Sequence, residues 1–216
     1  MLSSASNTAP TKTAHDRIYR ALRNRIMHGE LAPGAALTIR GIAASFDVSM
    51  TPAREAARRL VAEGALSLSS SGRVSTPELS NDRIEELAAL RALLEPELAA
   101  RALPRAHFAL IDRLEAIDAT IAQSVARQDI TGYIRGNLDF HRTLYLRAQS
   151  PATLALTETV WLQLGPTMRA LYDRLRRTAA PQHHRMIIAA LRAGDEPSLK
   201  LSIRLDVTQG LKMLRQ

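Results

Sequence analysis

The chain has 216 residues, with 29 lysines and arginines against 21 aspartates and glutamates, and so carries a net charge of +8. It contains no cysteine, which excludes disulfides and thiolate metal centres, and it has no apolar run near the roughly 18 residues that a membrane-spanning helix requires. Apolar residues reach 46% while aromatics stay at 4%, so a core must be built from Leu, Ala, Ile and Val, which is helix-forming composition.

In chain order, residues 1–12 read as a flexible tail, rich in Ser, Thr and Ala and without the apolar stretch of a signal sequence, which fits a cytoplasmic protein. Residues 14–28 predict a helix that buries Ile18, Leu22 and Ile26 and stops at Gly29, a residue that accepts the left-handed position after a helix end. A second helix over 39–46 places Ile42, Ala43 and Phe46 on one stripe, and Asp47, Val48 and Ser49 break it. Thr51 is a good N-cap and Pro52 suits the first helical position, so a third helix is predicted to start at Pro52. Its inward face would be Ala53, Ala56, Ala57, Leu60 and Val61, which leaves Arg54 and Arg58 together on the outward face. Gly64 ends this helix, and residues 65–68 and 73–75 alternate as strands do around a turn that closes at Gly72.

Two helices with a sharp turn between them, followed by a hairpin, make a DNA-reading head with a wing. Arginines in the first turns of the second helix suit a major groove, where a guanidinium can pair bidentately with guanine. Charge distribution agrees with this: residues 11–76 hold ten basic and five acidic side chains, so five of the eight surplus positive charges fall there. The head is read as residues 13–76, followed by a linker over 77–80 that begins with Pro77.

From 81 to 216 the chain shows only helical periodicity and helix punctuation. Ser80 or Asn81 caps a helix bearing Ile84, Leu87, Leu90, Leu94 and Leu98, and Pro104 opens a second that runs to about 127. Further helices are predicted over 130–148, over 151–177 with a kink at Gly165 and Pro166, over 180–192, and from the Gly194 turn to about 214. The expected fold is mainly α, an N-terminal winged helix-turn-helix with a small β-hairpin wing and a C-terminal antiparallel bundle of about six helices.

Two runs, Gly29-Glu30-Leu31-Ala32-Pro33-Gly34 and Val48-Ser49-Met50-Thr51-Pro52-Ala53-Arg54-Glu55-Ala56, resemble the winged head of GntR-family regulators. In that pattern an arginine begins the second helix, a Ser-Arg-Thr-Pro run precedes the recognition helix, an Arg-Glu pair follows, and a glycine tips the wing. The resemblance implies DNA contacts from Arg40, Ser49, Met50, Thr51, Arg54, Arg58, Gly72 and Arg73. Met50 stands where the family has a DNA-contacting arginine, and Ala57 replaces a usual leucine. In the body, Arg91-Ala92-Leu93-Leu94-Glu95, Phe140-His141 and Leu191-Arg192-Ala193-Gly194-Asp195 resemble the FadR C-terminal, or FCD, ligand-sensing domain. What this implies is a homodimeric transcriptional regulator, most often a repressor, on palindromic double-stranded operator DNA, with a small carboxylate as effector and no catalytic role.

The same resemblance implies a metal site. Asn137 and His141 are four residues apart on one helix face, where metal-binding members of the family place an acid or amide and a histidine. A histidine then opens the helix before the Ala-Gly-Asp turn, here His184, and the family's second histidine 22 residues later is Asp206 in this chain. Two imidazoles and a carboxylate, with the Asn137 amide oxygen as a weak fourth ligand, suit zinc, nickel or manganese. Arg91 and Glu95, one turn apart, read either as a helical ion pair or as a pocket whose arginine receives the effector carboxylate.

Two other classes compete. A metal-dependent hydrolase could use Asn, two His and Asp in a helical bundle, but no motif supplies a separate general base beside them. A non-specific architectural DNA-binding protein would use the basic head alone, and comparing random with operator DNA at matched salt separates it from a regulator.

Overall fold

The computed structural model describes residues 13–69, 72–175 and 183–212, so the tail expected over 1–12 and the wing tip at Ser70 and Ser71 lie outside the described residues. The first helix, α1 (Ala14–Met27), buries Ile18, Tyr19, Leu22, Ile26 and Met27 and ends at Gly29, whose φ of +64° lets Glu30 N–H return to the Arg25 carbonyl. Helix α2 (Ile39–Ser45) starts on Thr38, whose hydroxyl accepts the Gly41 N–H at 2.9 Å. Asp47, at φ +50°, makes the sharp turn that follows.

Helix α3 (Met50–Ala62) starts earlier than the sequence reading has it: Ser49 holds the N-cap position and Thr51 lies inside the first turn. The reason is that none of the first four N–H groups of a helix has an intrahelical partner, so Pro52 is tolerated anywhere in that turn and does not fix the start. The inward face is as expected, with Ala53, Ala56, Ala57 and Leu60 buried against α1 and α2. Beyond α3, Ala65 and Leu66 return their N–H groups to the Leu60 carbonyl and join the core, which shortens the predicted first wing strand.

Three two-residue strands make one antiparallel sheet: β1 (Ala36–Leu37), β2 (Ser67–Leu68) and β3 (Val74–Ser75), in the order β1-β3-β2. The wing hairpin β2-β3 was expected, whereas β1, which pairs Leu37 with Val74, was not. Thr76 secures this corner: buried, its hydroxyl donates to the Ala32 carbonyl at 2.6 Å and accepts the Ala35 N–H at 2.9 Å.

The body is built from α4 (Asn81–Ala102), α5 (Phe108–Ala126), α6 (Ile130–Tyr145), α7 (Pro151–Leu175), α8 (His183–Ala193) and α9 (Glu196–Lys212). These are the six helices expected. Pro104 opens only a 3₁₀ turn, Leu103–Arg105, and α5 begins later, where the His107 ring accepts the Leu110 N–H at 3.3 Å. Helix α6 stops at Tyr145 and a 3₁₀ turn covers Leu146–Ala148. Helix α7 runs through Gly165 and Pro166 without a break. The expected end of α7 at 177 and start of α8 at 180 lie outside the described residues.

Head and body share one hydrophobic cluster, from Ile18 and Leu60 to Leu114 and Ile203. Helix α1 packs on α7 where Gly165 lies against backbone: a Cβ there would sit 2.8 Å from Met27 Cα and closer still to the Ile26 carbonyl oxygen. Polar contacts border this seam. Arg23 reaches Glu158 at 3.5 Å, and Gln163 Nε2 donates to the Glu63 carbonyl at 3.1 Å.

Candidate DNA interface and candidate metal centre

The inward alanines of α3 turn its other side to solvent. Ser49, Thr51, Arg54 and Arg58 are exposed, as is Met50 at 43%. Arg40 is exposed in the first turn of α2, and Gly72 and Arg73 are exposed on the wing, where Gly72 has φ +79° and open space around it. Among the described residues neither Arg40 nor Arg54 is paired with an acid, and Arg58 meets only Glu55 on its own helix, at 3.4 Å. Other basic groups of the head are committed to structure: Arg59 lies 3.7 Å over the Tyr19 ring and bonds Glu63, and Arg25 pairs with Glu30. The sequence-read contact residues therefore share the surface of α2, α3 and the wing, with two cations free for phosphate or base edges.

Inside the bundle, His141 from α6, His184 from α8 and Asp206 from α9 converge, with ligand atoms all within 4.8 Å of one another. His141 Nε2 lies 2.8 Å from Asp206 Oδ2, and His184 Nε2 lies 3.9 Å from Asp206 Oδ1. The other ring nitrogen of each histidine is fixed from behind. His141 Nδ1 is 3.0 Å from the Tyr145 oxygen, and because the Tyr145 hydroxyl donates to Glu95 at 2.9 Å, that oxygen accepts a proton from Nδ1. His184 Nδ1 donates to Asp118 at 2.8 Å, and its ring stacks on Phe140 with centroids 3.9 Å apart. Without an ion the 2.8 Å contact of His141 Nε2 with Asp206 carries a proton. A metal would replace that proton, and both imidazoles would then turn an Nε2 lone pair toward the same point, the orientation that carboxylate and hydroxyl partners impose on metal-binding histidines.

His184 Nε2 is buried and has no hydrogen-bond partner, an arrangement that leaves a strong acceptor unsatisfied unless a cation meets it. Burial works to raise the Asp206 carboxyl, but the His141 hydrogen bond and the charges of His141, His184 and Arg91 outweigh it and hold the group well below the ordinary carboxylate range. An ionised carboxylate and two oriented imidazoles fit a divalent transition metal. Asn137, expected as a weak fourth ligand, lies one turn before His141, is half-buried, and its side chain makes no hydrogen bond among the described residues.

Behind the histidines lies a network of which sequence reasoning had only the Arg91 and Glu95 pair. Glu95, fully buried, accepts from Arg91, from Tyr145, and from Trp161 Nε1 at 2.9 Å. Arg91 is itself buried and engages Glu95 through Nε and Nη2, so the ion-pair reading of these two residues describes the geometry. Beside them, Tyr133 packs on Tyr172 at 5.2 Å, and the Tyr172 hydroxyl is a second buried polar atom without a partner. Burial, and then the Asp206 charge, push the Tyr133 phenol up. The spacing of His141 and Tyr145 by one helical turn was a usable signal, whereas nothing local marks Asp118 or Trp161.

Residues 14–74 match the pattern of bacterial regulatory proteins of the gntR family, and residues 86–205, more than half of the chain, match the FCD domain. The chain belongs to the gntR family and carries an FCD domain. The winged head with a helical FCD body is therefore that of a DNA-binding transcriptional regulator, not an enzyme, and the hydrolase alternative falls. The regulator is 26% identical over 203 residues to the HTH-type transcriptional regulator McbR of Escherichia coli, covering 93% of this chain and 92% of that one. It is 29% identical over 154 residues to the gluconate operon transcriptional repressor of Bacillus subtilis, covering 71% and 61% of the two chains. Among solved structures it resembles E. coli McbR/YncC, with a TM-score of 0.85 at 25% identity over 95% of this chain and 99% of that one. A gntR regulator from a Rhodococcus species shares the fold, with a TM-score of 0.77 at 23% identity over 93% and 97%. No helix among the described residues of this regulator is long and apolar enough to cross a membrane.

Proposed function

We propose that this protein is a cytoplasmic, ligand-responsive repressor that binds a palindromic operator as a homodimer and senses a small organic acid in the FCD body. The observation that carries the DNA half is Arg54, without an acidic partner among the described residues, on the exposed face of α3, flanked by Met50 and Arg58. The name of the Bacillus subtilis relative supports a repressor role. Arg54 reads base edges and Arg40, Arg58, Arg73, Ser49, Thr51 and the Gly72 backbone position the head on phosphates. Met50 brings an apolar contact at the position where the resemblance expects an arginine.

In the body, zinc, nickel or manganese would be held by His141, His184 and Asp206 and would supply a Lewis-acid anchor for an effector carboxylate. Tyr145 and Asp118 set the tautomers of the two histidines, Arg91 adds positive charge beside the site, and the Tyr172 hydroxyl offers a donor to the acid.

Two outcomes are expected. Arg54→Ala should weaken binding to a selected operator by about 1–3 kcal/mol, concentrated at one base pair of each half-site, as measured with labelled duplexes at fixed salt. Equal affinity and base preference in a folded Arg54→Ala protein would remove Arg54 from the interface, and equal binding to random duplex by the wild type would favour an architectural protein. Metal analysis of protein purified without chelator or nickel resin should find a divalent ion in the wild type and its loss in both His141→Ala and His184→Ala. Unchanged metal content in the two variants would place the ion elsewhere.

A further inference from the structure

Among the described residues, one head-body contact joins the end of the recognition helix to the helix that also hooks the polar centre. We infer that Gln163 is a positioning residue through which the buried centre sets the orientation of α3, an inference that rests on the regulator reading above. Trp161 and Gln163 are two residues apart on α7, so roughly 3 Å of helix rise separates a hook into the centre from a hook into the head. The first hook is Trp161 Nε1 on Glu95 at 2.9 Å, in the chain of bonds that continues through Tyr145 and His141 to Asp206. The second is Gln163 Nε2 on the Glu63 carbonyl at 3.1 Å.

Glu63 is the C-cap of α3, so that carbonyl belongs to the end of the helix, where backbone acceptors lack intrahelical partners. Its side chain grips the head as well, accepting from Tyr19 at 2.8 Å and Arg59 at 3.3 Å, so a shift of the Glu63 backbone is felt by α1 and α3 together. Gln163 is held from the other side by Arg83 Nη2, 2.7 Å from its Oε1. Gly64, at φ +69°, both closes α3 and makes room: a Cβ there would stand 3.0 Å from Gln163 Nε2. One half-buried amide, fixed at both ends, thus spans the seam.

Coupling between two sites is reciprocal, so operator binding at the head must be felt at the centre. The chain carries its own reporter, because Trp161 is its single tryptophan and is 3% exposed, out of reach of DNA. The test titrates a duplex, selected from a random pool by the wild type, into the full-length protein while tryptophan emission and the anisotropy of labelled DNA are read together. The wild type is expected to shift its emission on binding. Gln163→Glu keeps the acceptor for Arg83 but removes the N–H that serves Glu63, and Gln163→Ala removes both. Both variants are expected to bind the duplex with the emission shift lost, while helical content and zinc uptake stay as in the wild type. A shift that persists in variants still binding DNA overturns the inference, as does a wild type that binds the duplex without any shift. If the wild type selects no duplex, the regulator reading itself falls, and the anisotropy arm shows that separately.

Discussion

Glu95→Ala is expected to lower the unfolding free energy by about 3–5 kcal/mol, a large share of the roughly 5–15 kcal/mol that a folded domain has. The size follows from what the carboxylate serves. Glu95 is fully buried, Arg91 beside it is 5% exposed, and Tyr145 and Trp161 both donate to it. Removing the carboxylate leaves a buried guanidinium without its counter-charge and two buried donors without an acceptor. Exposed pairs of the same spacing on the same helix behave differently. Arg101 and Glu97, with side chains 59% and 48% accessible, are screened by water, and Glu97→Ala should have little effect. Urea titrations followed by circular dichroism measure both variants. A Glu95→Ala loss no greater than that of Glu97→Ala would mean the buried network adds nothing net.

Gly165→Ala is expected to loosen the head from the body and to destabilise the protein by about 1–3 kcal/mol, the usual range for overpacking. Helix propensity alone gives the opposite sign, since alanine is better than glycine in a helix interior by about 1 kcal/mol. Packing decides the matter. The added methyl would meet the Ile26 carbonyl oxygen and Met27 Cα, which are backbone atoms, so no side-chain rotation relieves the clash and α1 must move off α7. Thermal denaturation should show the loss, and limited proteolysis should cut the 77–80 connection faster than in the wild type. A melting temperature equal to or above that of the wild type would show that propensity wins and the seam yields without effort.

The legible parts of this fold are those with a local cause. Ile18, Leu22 and Ile26 announce α1 by spacing, Gly29 announces its end, and Ala53, Ala56, Ala57 and Leu60 assign the inner face of α3. The start of α3 was misplaced because Pro52 is compatible with several positions of a first turn. Strand β1 was missed because two residues cannot display an alternation. The convergence of His141, His184 and Asp206 came from resemblance to a family pattern, since residues 65 apart that meet across three helices carry no periodicity of their own. Asp118 and Trp161 were illegible for the same reason: each finds its partner 66 residues away, through the order in which the bundle stacks. Head-body docking through Gly165 and Gln163 was also invisible, because glycine and glutamine in a helix look the same whether they face water or another domain.

The division of α3 into a buried alanine face and an exposed face bearing Met50, Arg54 and Arg58 has an evolutionary consequence. Substitutions on the exposed face touch no core contact and fall in the class that usually changes folding stability by less than about 0.5 kcal/mol. The exposed face can therefore vary one residue at a time without losing the fold, while the inner face, where Ala53 and Ala56 are fully buried, stays under tighter constraint. Met50, exposed beside Arg54 and Arg58, sits on the face where such substitutions carry little cost to the fold.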